Sequence, residues 1–224
     1  MGNKMLNMNF NETVVINTNE QEWQASPMKG VWRKPLAREA AEHGHTTSVV
    51  HFEPGSHFSA HTHPMGEEIF VLEGVFSDEH GDYPSGSYLR HPPGSKHKPF
   101  SKEGCVLFVK LDQFSPEDST TIRLDTNKIG WLPGDYNLEI MPLHYHDFET
   151  VALEKWPAGT RNLRHSHFGG EEVFVLSGRL MDEWGEYPAG SWVRSPHNSE
   201  HCPYVVDETV VWVKSGHLPM AAKK

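Results

Sequence analysis

Apolar residues in this chain come in short runs that stop at Gly, Pro or a polar cluster. Residues 47–52, 68–72, 87–90 and 105–111 are rich in Val, Phe and Thr. These β-branched and aromatic types fit a pleated, half-buried surface, so each run predicts a strand. No stretch sustains a 3.6-residue apolar period with caps at both ends, and residues 37–42 predict at most one short helical turn. The 19 Gly and 16 Pro punctuate the runs at hairpin spacing. The expected fold class is all-β, two small barrels or sandwiches in tandem.

The tandem follows from a repeat. Glu67-Glu68-Ile69-Phe70-Val71-Leu72 is echoed by Glu171-Glu172-Val173-Phe174-Val175-Leu176, an offset of 104. The same offset carries Tyr83-Pro84-Ser85-Gly86-Ser87 to Tyr187-Pro188-Ala189-Gly190-Ser191, and Val109-Lys110 to Val213-Lys214. Upstream, Trp23 and Trp131 correspond at an offset of 108, so the entrances to the two copies differ by four residues. The predicted organisation is an amino-terminal arm (1–22), a first module (23–113), a polar linker (114–127), a second module (128–218) and a tail (219–224). Within the arm, residues 11–16 read as a strand suited to exchange between subunits, and a homodimer is expected.

Composition narrows the function. The balance of 20 basic and 30 acidic residues gives a net charge of -10, which argues against a nucleic-acid partner. The longest apolar stretches, such as 106–109 and 210–213, are far short of a membrane span, and the amino terminus has no apolar signal core. Position 6 is Leu where a myristoylation signal wants Ser or Thr. Cys105 and Cys202 are the only cysteines, too few for a disulfide framework. A cytoplasmic location is expected.

Histidines carry the candidate chemistry. His61 and His63 sit two apart, which on a strand puts both imidazoles on one face. Glu67 follows a tight Pro64-Met65-Gly66 turn and can fold back to the same point, while His97 arrives from a strand some thirty residues on. The second copy repeats all four as His165, His167, Glu171 and His201. Three neutral nitrogens and one carboxylate suit a borderline divalent ion and leave room for water or substrate. Zinc or iron(II) in each module is the expectation, with manganese and nickel as further candidates. Asn198 stands where the first copy has Gly94; Asn tolerates a positive φ better than other side chains, so the turn can survive.

These residues resemble the two sequence motifs of the cupin superfamily, in which a small antiparallel jelly-roll barrel holds a metal through two His, a Glu and a third His. The resemblance covers both halves and implies two tandem cupin barrels with ligands at His61, His63, Glu67 and His97, and at His165, His167, Glu171 and His201. Gly-Glu-Glu-x-Phe-Val-Leu and Asp-Glu-x-Gly-x-Tyr-Pro-x-Gly-Ser are similar to the ChrR-like branch. That branch includes the sensory domain of a zinc-binding anti-sigma factor and small-molecule dioxygenases. The anti-sigma proteins carry a helical domain with its own His and Cys ligands, whereas residues 1–22 here contain neither His nor Cys, so sigma-factor sequestration is not the expected role.

Neighbouring residues receive plainer readings. Glu68 and Glu172 alternate away from the metal face. Glu79 and Glu183 are candidate proton-transfer groups lining the pocket or, equally, hairpin caps; Tyr83 and Tyr187 carry the same ambiguity. His144 with His146, and His43 with His45, have no repeat partners and read as solvated strand residues. Cys202 adjoins His201 but faces the other way, which argues against a thiolate ligand. Trp156, Trp192 and Trp212 read as core. Two functions follow: a non-haem metal-dependent oxygenase acting on a small ketone or phenolic molecule, or a zinc-binding sensor without turnover. Sugar isomerase or epimerase chemistry is a third.

Overall fold

The computed structural model describes residues 5–40 and 44–220. Strands and three short 3-10 turns account for all regular structure among them, and no α-helix is present. No helix is long and apolar enough to cross a membrane. The helical turn expected at 37–42 does not form: Ala37 and Arg38 end the Val31–Arg38 strand, paired to Thr47 and Thr46. Ala41, Glu42 and His43 lie outside the described residues.

The chain divides into two compact units. The first comprises Met1–Met8 with Gln21–Ile129, the second Asn9–Glu20 with Gly130–Lys224. In the first, the main antiparallel sheet runs Ile122–Asp125, Ser87–His91, Glu67–Asp78, Cys105–Leu111, Thr46–Phe52, Val31–Arg38 and Gln24–Ala25. The second repeats this order with Val14–Asn17, Ser191–Ser195, Glu171–Ser177, Thr209–Ser215, Glu149–Trp156, Glu139–His146 and Leu132–Pro133. Trp23 and Trp131 each immediately precede the last-named strand of their unit, as the offset of 108 requires.

The segment read as a linker is structural. Its Ile122–Asp125 strand pairs with Ser87–Arg90 of the first unit. The arm strand Val14–Asn17 pairs in the same way with Ser191–Arg194 of the second unit, within this chain. Each lead strand thus completes the sheet of the other module. The docking is the same at both places: Thr126 Oγ1 donates to Gly86 O at 2.6 Å and Asn127 Nδ2 to Ser85 O at 2.8 Å, while Thr18 and Asn19 do likewise to Gly190 O and Ala189 O. Gly86 and Gly190 both adopt φ near +86°, and a Cβ there would meet Asn127 or Asn19 at 2.7 Å. Only glycine suits the turn on both counts.

Each unit buries its own apolar interior. Val31, Val50, Phe52, Ile69, Val71, Phe76, Leu89, Leu107 and Val109 fill the first; Leu138, Trp156, Val173, Val175, Leu180, Val193, Val211 and Val213 fill the second. Trp192 and Trp212 are also fully buried, so all three tryptophans read as core are inside. Asn198 has φ +59° where Gly94 has +79°: the turn survives the substitution.

Candidate metal centres

Two short strands frame each candidate centre. In the first unit His61–His63 pairs antiparallel with Ser95–His97, so that His61 lies opposite His97. In the second His165 lies opposite His201. Cross-strand neighbours at this separation bring side chains of one face together, and Glu67 and Glu171 reach the same place from the first residue of the long core strand.

At the first centre His63 Nε2 and His97 Nε2 are 2.9 Å apart, and Glu67 Oε2 is 3.4 Å from the former and 3.2 Å from the latter. His61 directs Nδ1 to the Ser59 carbonyl at 3.0 Å, which leaves Nε2 for the cluster. Donors bound at about 2.0–2.1 Å to one ion, at tetrahedral or octahedral angles, stand about 2.9–3.4 Å apart. The spacing of these buried atoms therefore fits a shared cation. At the second centre His167 Nε2 and His201 Nε2 are again 2.9 Å apart, and His165 Nδ1 is held by Leu163 O. His165, His167 and His201 form a group with metal-holding spacing. Glu171 stands further off, 3.8 Å from His201 Nε2, and its 3.4 Å contact is with the other ring nitrogen of His167.

Burial and the facing carboxylates compete to set the ionisation. Burial lowers His63 to about 4 and His167 to about 3, so these two imidazoles are neutral at pH 7, the form a metal requires. At His97 burial is outweighed by Asp78 and Glu67, which raise it to about 9, and at His201 by Asp182 and Glu171, which raise it as well. Burial opposes the charge on Glu67 as well, but His63, His91 and His97 outweigh it and hold the carboxyl well below its usual value. At Glu171 burial pushes the carboxyl up to about 7, the negative charges of Glu154 and Asp182 add to the rise, and only the charge of His201 works in the carboxylate's favour. One part of the difference is His91, whose Nδ1 lies 2.9 Å from Glu67 Oε2 and whose repeat counterpart is Ser195. His91 was not singled out in the sequence because the repeat, which marked the other ligand candidates, does not include it.

The carboxylates behind the histidines are Asp78 and Asp182. Asp182 Oδ2 is 3.4 Å from His201 Nδ1, and Asp78 Oδ2 is 3.7 Å from His97 Nδ1 and 3.9 Å from His91 Nε2. Tyr83 and Tyr187 donate to the other oxygen at 3.0 and 2.8 Å. Burial works against the Asp78 charge, yet the His97 imidazole 3.7 Å away and hydrogen bonds from the His80 amide and Tyr83 bring it down to about 2. A carboxylate at Nδ1 orients the imidazole so that Nε2 faces the ion.

Glu79 and Glu183 belong to neither histidine cluster. Both are exposed. Glu79 accepts from the Lys98 amide and Glu183 from the Cys202 amide, each at 2.8 Å, bracing the backbone just after the third histidine. Glu68 lies away from the centre, bonded to Tyr88 and Arg90, and Glu172 to Trp192 and His217. Cys202 Sγ faces Asn162 O, away from His201. His144 and His146 belong to the Glu139–His146 strand and to neither centre.

A cavity of about 440 Å³ opens beside the first centre. His61, His63 and Glu67 form one part of its wall and Val50, Phe52, Phe58, Ile69, Phe76 and Leu107 another, with Arg33, Thr46 and Ser48 also lining it. Such a space suits a small organic molecule with an apolar body held against the polar cluster.

The pattern of the ChrR cupin-like domain matches this chain twice, over residues 11–115 and 119–219. Among curated proteins, none matches the chain. Solved structures share its fold at low identity. A "putative dioxygenase" from Nostoc punctiforme superposes with a TM-score of 0.76 at 15% identity, over 96% of this chain and 88% of that one. Protein YlbA from Escherichia coli gives 0.72 at 12%, over 95% and 94%. The bacterial pirin YhhW from Escherichia coli, in complex with nickel(II), gives 0.69 at 12%, over 93% and 99%.

Proposed function

Since this chain belongs to the ChrR cupin-like domain family in both halves, we propose that it is a divalent-metal-binding bicupin acting as an oxygenase on a small ketone or phenolic molecule. His61, His63, Glu67 and His97 would hold one ion, and His165, His167, Glu171 and His201 a second. A redox-active ion bound there supplies Lewis acidity and access to oxygen chemistry. The chain's own residues do the rest. The apolar wall of the first cavity binds and orients the body of the molecule and excludes water, with reacting groups at the His61, His63 and Glu67 end. Asp78, steadied by Tyr83, keeps the proton of His97 on Nδ1.

The observation that carries this reading is the organic-sized cavity abutting the histidine cluster, since a centre that only stiffens the fold needs no such space. The nickel complex of YhhW and the description of the Nostoc structure accord with it. The test begins with elemental analysis of protein from its native host, followed by oxygen uptake with a panel of β-diketones and hydroxyacetophenones. Iron or manganese with substrate-dependent uptake supports the oxygenase. Tightly held zinc with no uptake across the panel overturns it in favour of a zinc sensor.

A further inference from the structure

Among the inward-facing positions at which the two barrels differ, one exchanges an apolar side chain for an acid. Val50 belongs to the apolar core of the first and lines its cavity. One repeat offset later the chain has Glu154. Glu154 alternates with Ala152 and Trp156, both packed in the second core, and lies opposite Ile140 and Val211 in the neighbouring strands. Its side chain therefore enters the barrel. Oε2 accepts from Trp156 Nε1 at 3.1 Å, and Oε1 has no protein partner among the described residues. The residue keeps partial exposure, so the interior around it is reachable from solvent. Val50 shares its cavity with His61, His63 and Glu67. Glu154 holds the matching ladder position in the second barrel, opposite Val211 as Val50 is opposite Leu107, which sets it toward the second centre; its charge adds to the rise at Glu171. Burial raises its own pKa.

A carboxyl inside an apolar barrel costs free energy unless its oxygens are hydrogen-bonded, and the first barrel shows that the fold manages with Val. We propose that Glu154 makes the second barrel a receptor for a small hydroxyl-bearing molecule whose O–H donates to Oε1, whereas Val50 suits the first to a guest that is apolar at that point. A site built to satisfy a hydroxyl rejects the isostere lacking it, because its own polar atom is then left unpaired. The inference needs only that the second centre receives a small molecule, and does not depend on oxygen chemistry.

Phenol and benzene are the paired probes, titrated into zinc-loaded full-length protein while the Trp156 indole N–H resonance, assigned through Trp156→Phe, is followed. Phenol is expected to move that resonance and to bind about tenfold more weakly to Glu154→Val and Glu154→Ala, but within about threefold of the parent to Glu154→Gln, which keeps an acceptor. Benzene should bind the parent no more tightly than Glu154→Val. Equal phenol affinity in parent and apolar variants overturns the proposal, as does a Trp156 resonance that phenol never moves. If neither apolar variant folds, benzene binding the parent as tightly as phenol has the same effect. Absence of oxygen uptake leaves all these readouts unchanged, so failure of the oxygenase reading is separable from failure here.

Discussion

Asp78 and Glu79 are adjacent acids with opposite fates, and the contrast yields two predictions. Asp78 is almost fully buried behind His97, while Glu79 lies outside on a backbone amide. Asp78→Asn is expected to weaken metal binding at the first centre by roughly 10–100-fold, because the imidazole loses the partner that fixes its tautomer. Glu79→Gln should stay within about threefold; competition against a chelator reads both. Asp78 also gives the metal-free protein an acid-sensitive component. Its pKa is about 2 against 3.8 for the free group. The stabilisation is therefore fully present above pH 3.8 and is lost as pH falls from there through 2. Urea unfolding of the chelated protein at pH 5 and pH 3 should show a fall on the order of 1–2 kcal/mol from this group, reduced in Asp78→Asn.

At the scale of elements, the β-bulges explain why Asp78, and not Glu79, turns inward. From Glu67, steps of two along the strand pass Ile69 and Val71 and arrive at Glu79. The ladder slips between Val106 and Leu107, opposite Glu73 and Val71, and beyond the slip the even residues Phe76 and Asp78 are buried. The second copy slips at the corresponding place, between Val175 and Ser177, and buries Leu180. A bulge inserts one residue and reverses which face each later side chain takes. No residue type announces it. The lead strands and their glycine turns make a further test: Gly86→Ala should cost about 1–3 kcal/mol in urea unfolding, from positive φ and the clash with Asn127 combined. Asn198→Gly, at φ +59°, should change stability by less than about 1 kcal/mol.

The whole molecule carries two similar but unequal centres, so metal content and melting should respond barrel by barrel. Native protein is expected to hold about two ions per chain, and His63→Ala or His167→Ala about one, by elemental analysis. Chelation should lower Tm, since an ion at a hundred times its Kd stabilises the native state by about 2.7 kcal/mol. Much of this architecture is written locally along the chain. Short β-rich runs, turn glycines and the offset of 104 specify strands, two modules and eight ligand candidates, because alternation and spacing act within a few residues. Long-range pairing decided what remained. The lead strands at 14–17 and 122–125 crossed to each other's module, the bulges turned Asp78 inward, and the barrel walls brought His91 to Glu67 and Glu154 near Glu171. Those outcomes depend on which distant strands share a ladder and on the parity each ladder imposes, and neither is encoded in any short window of residues.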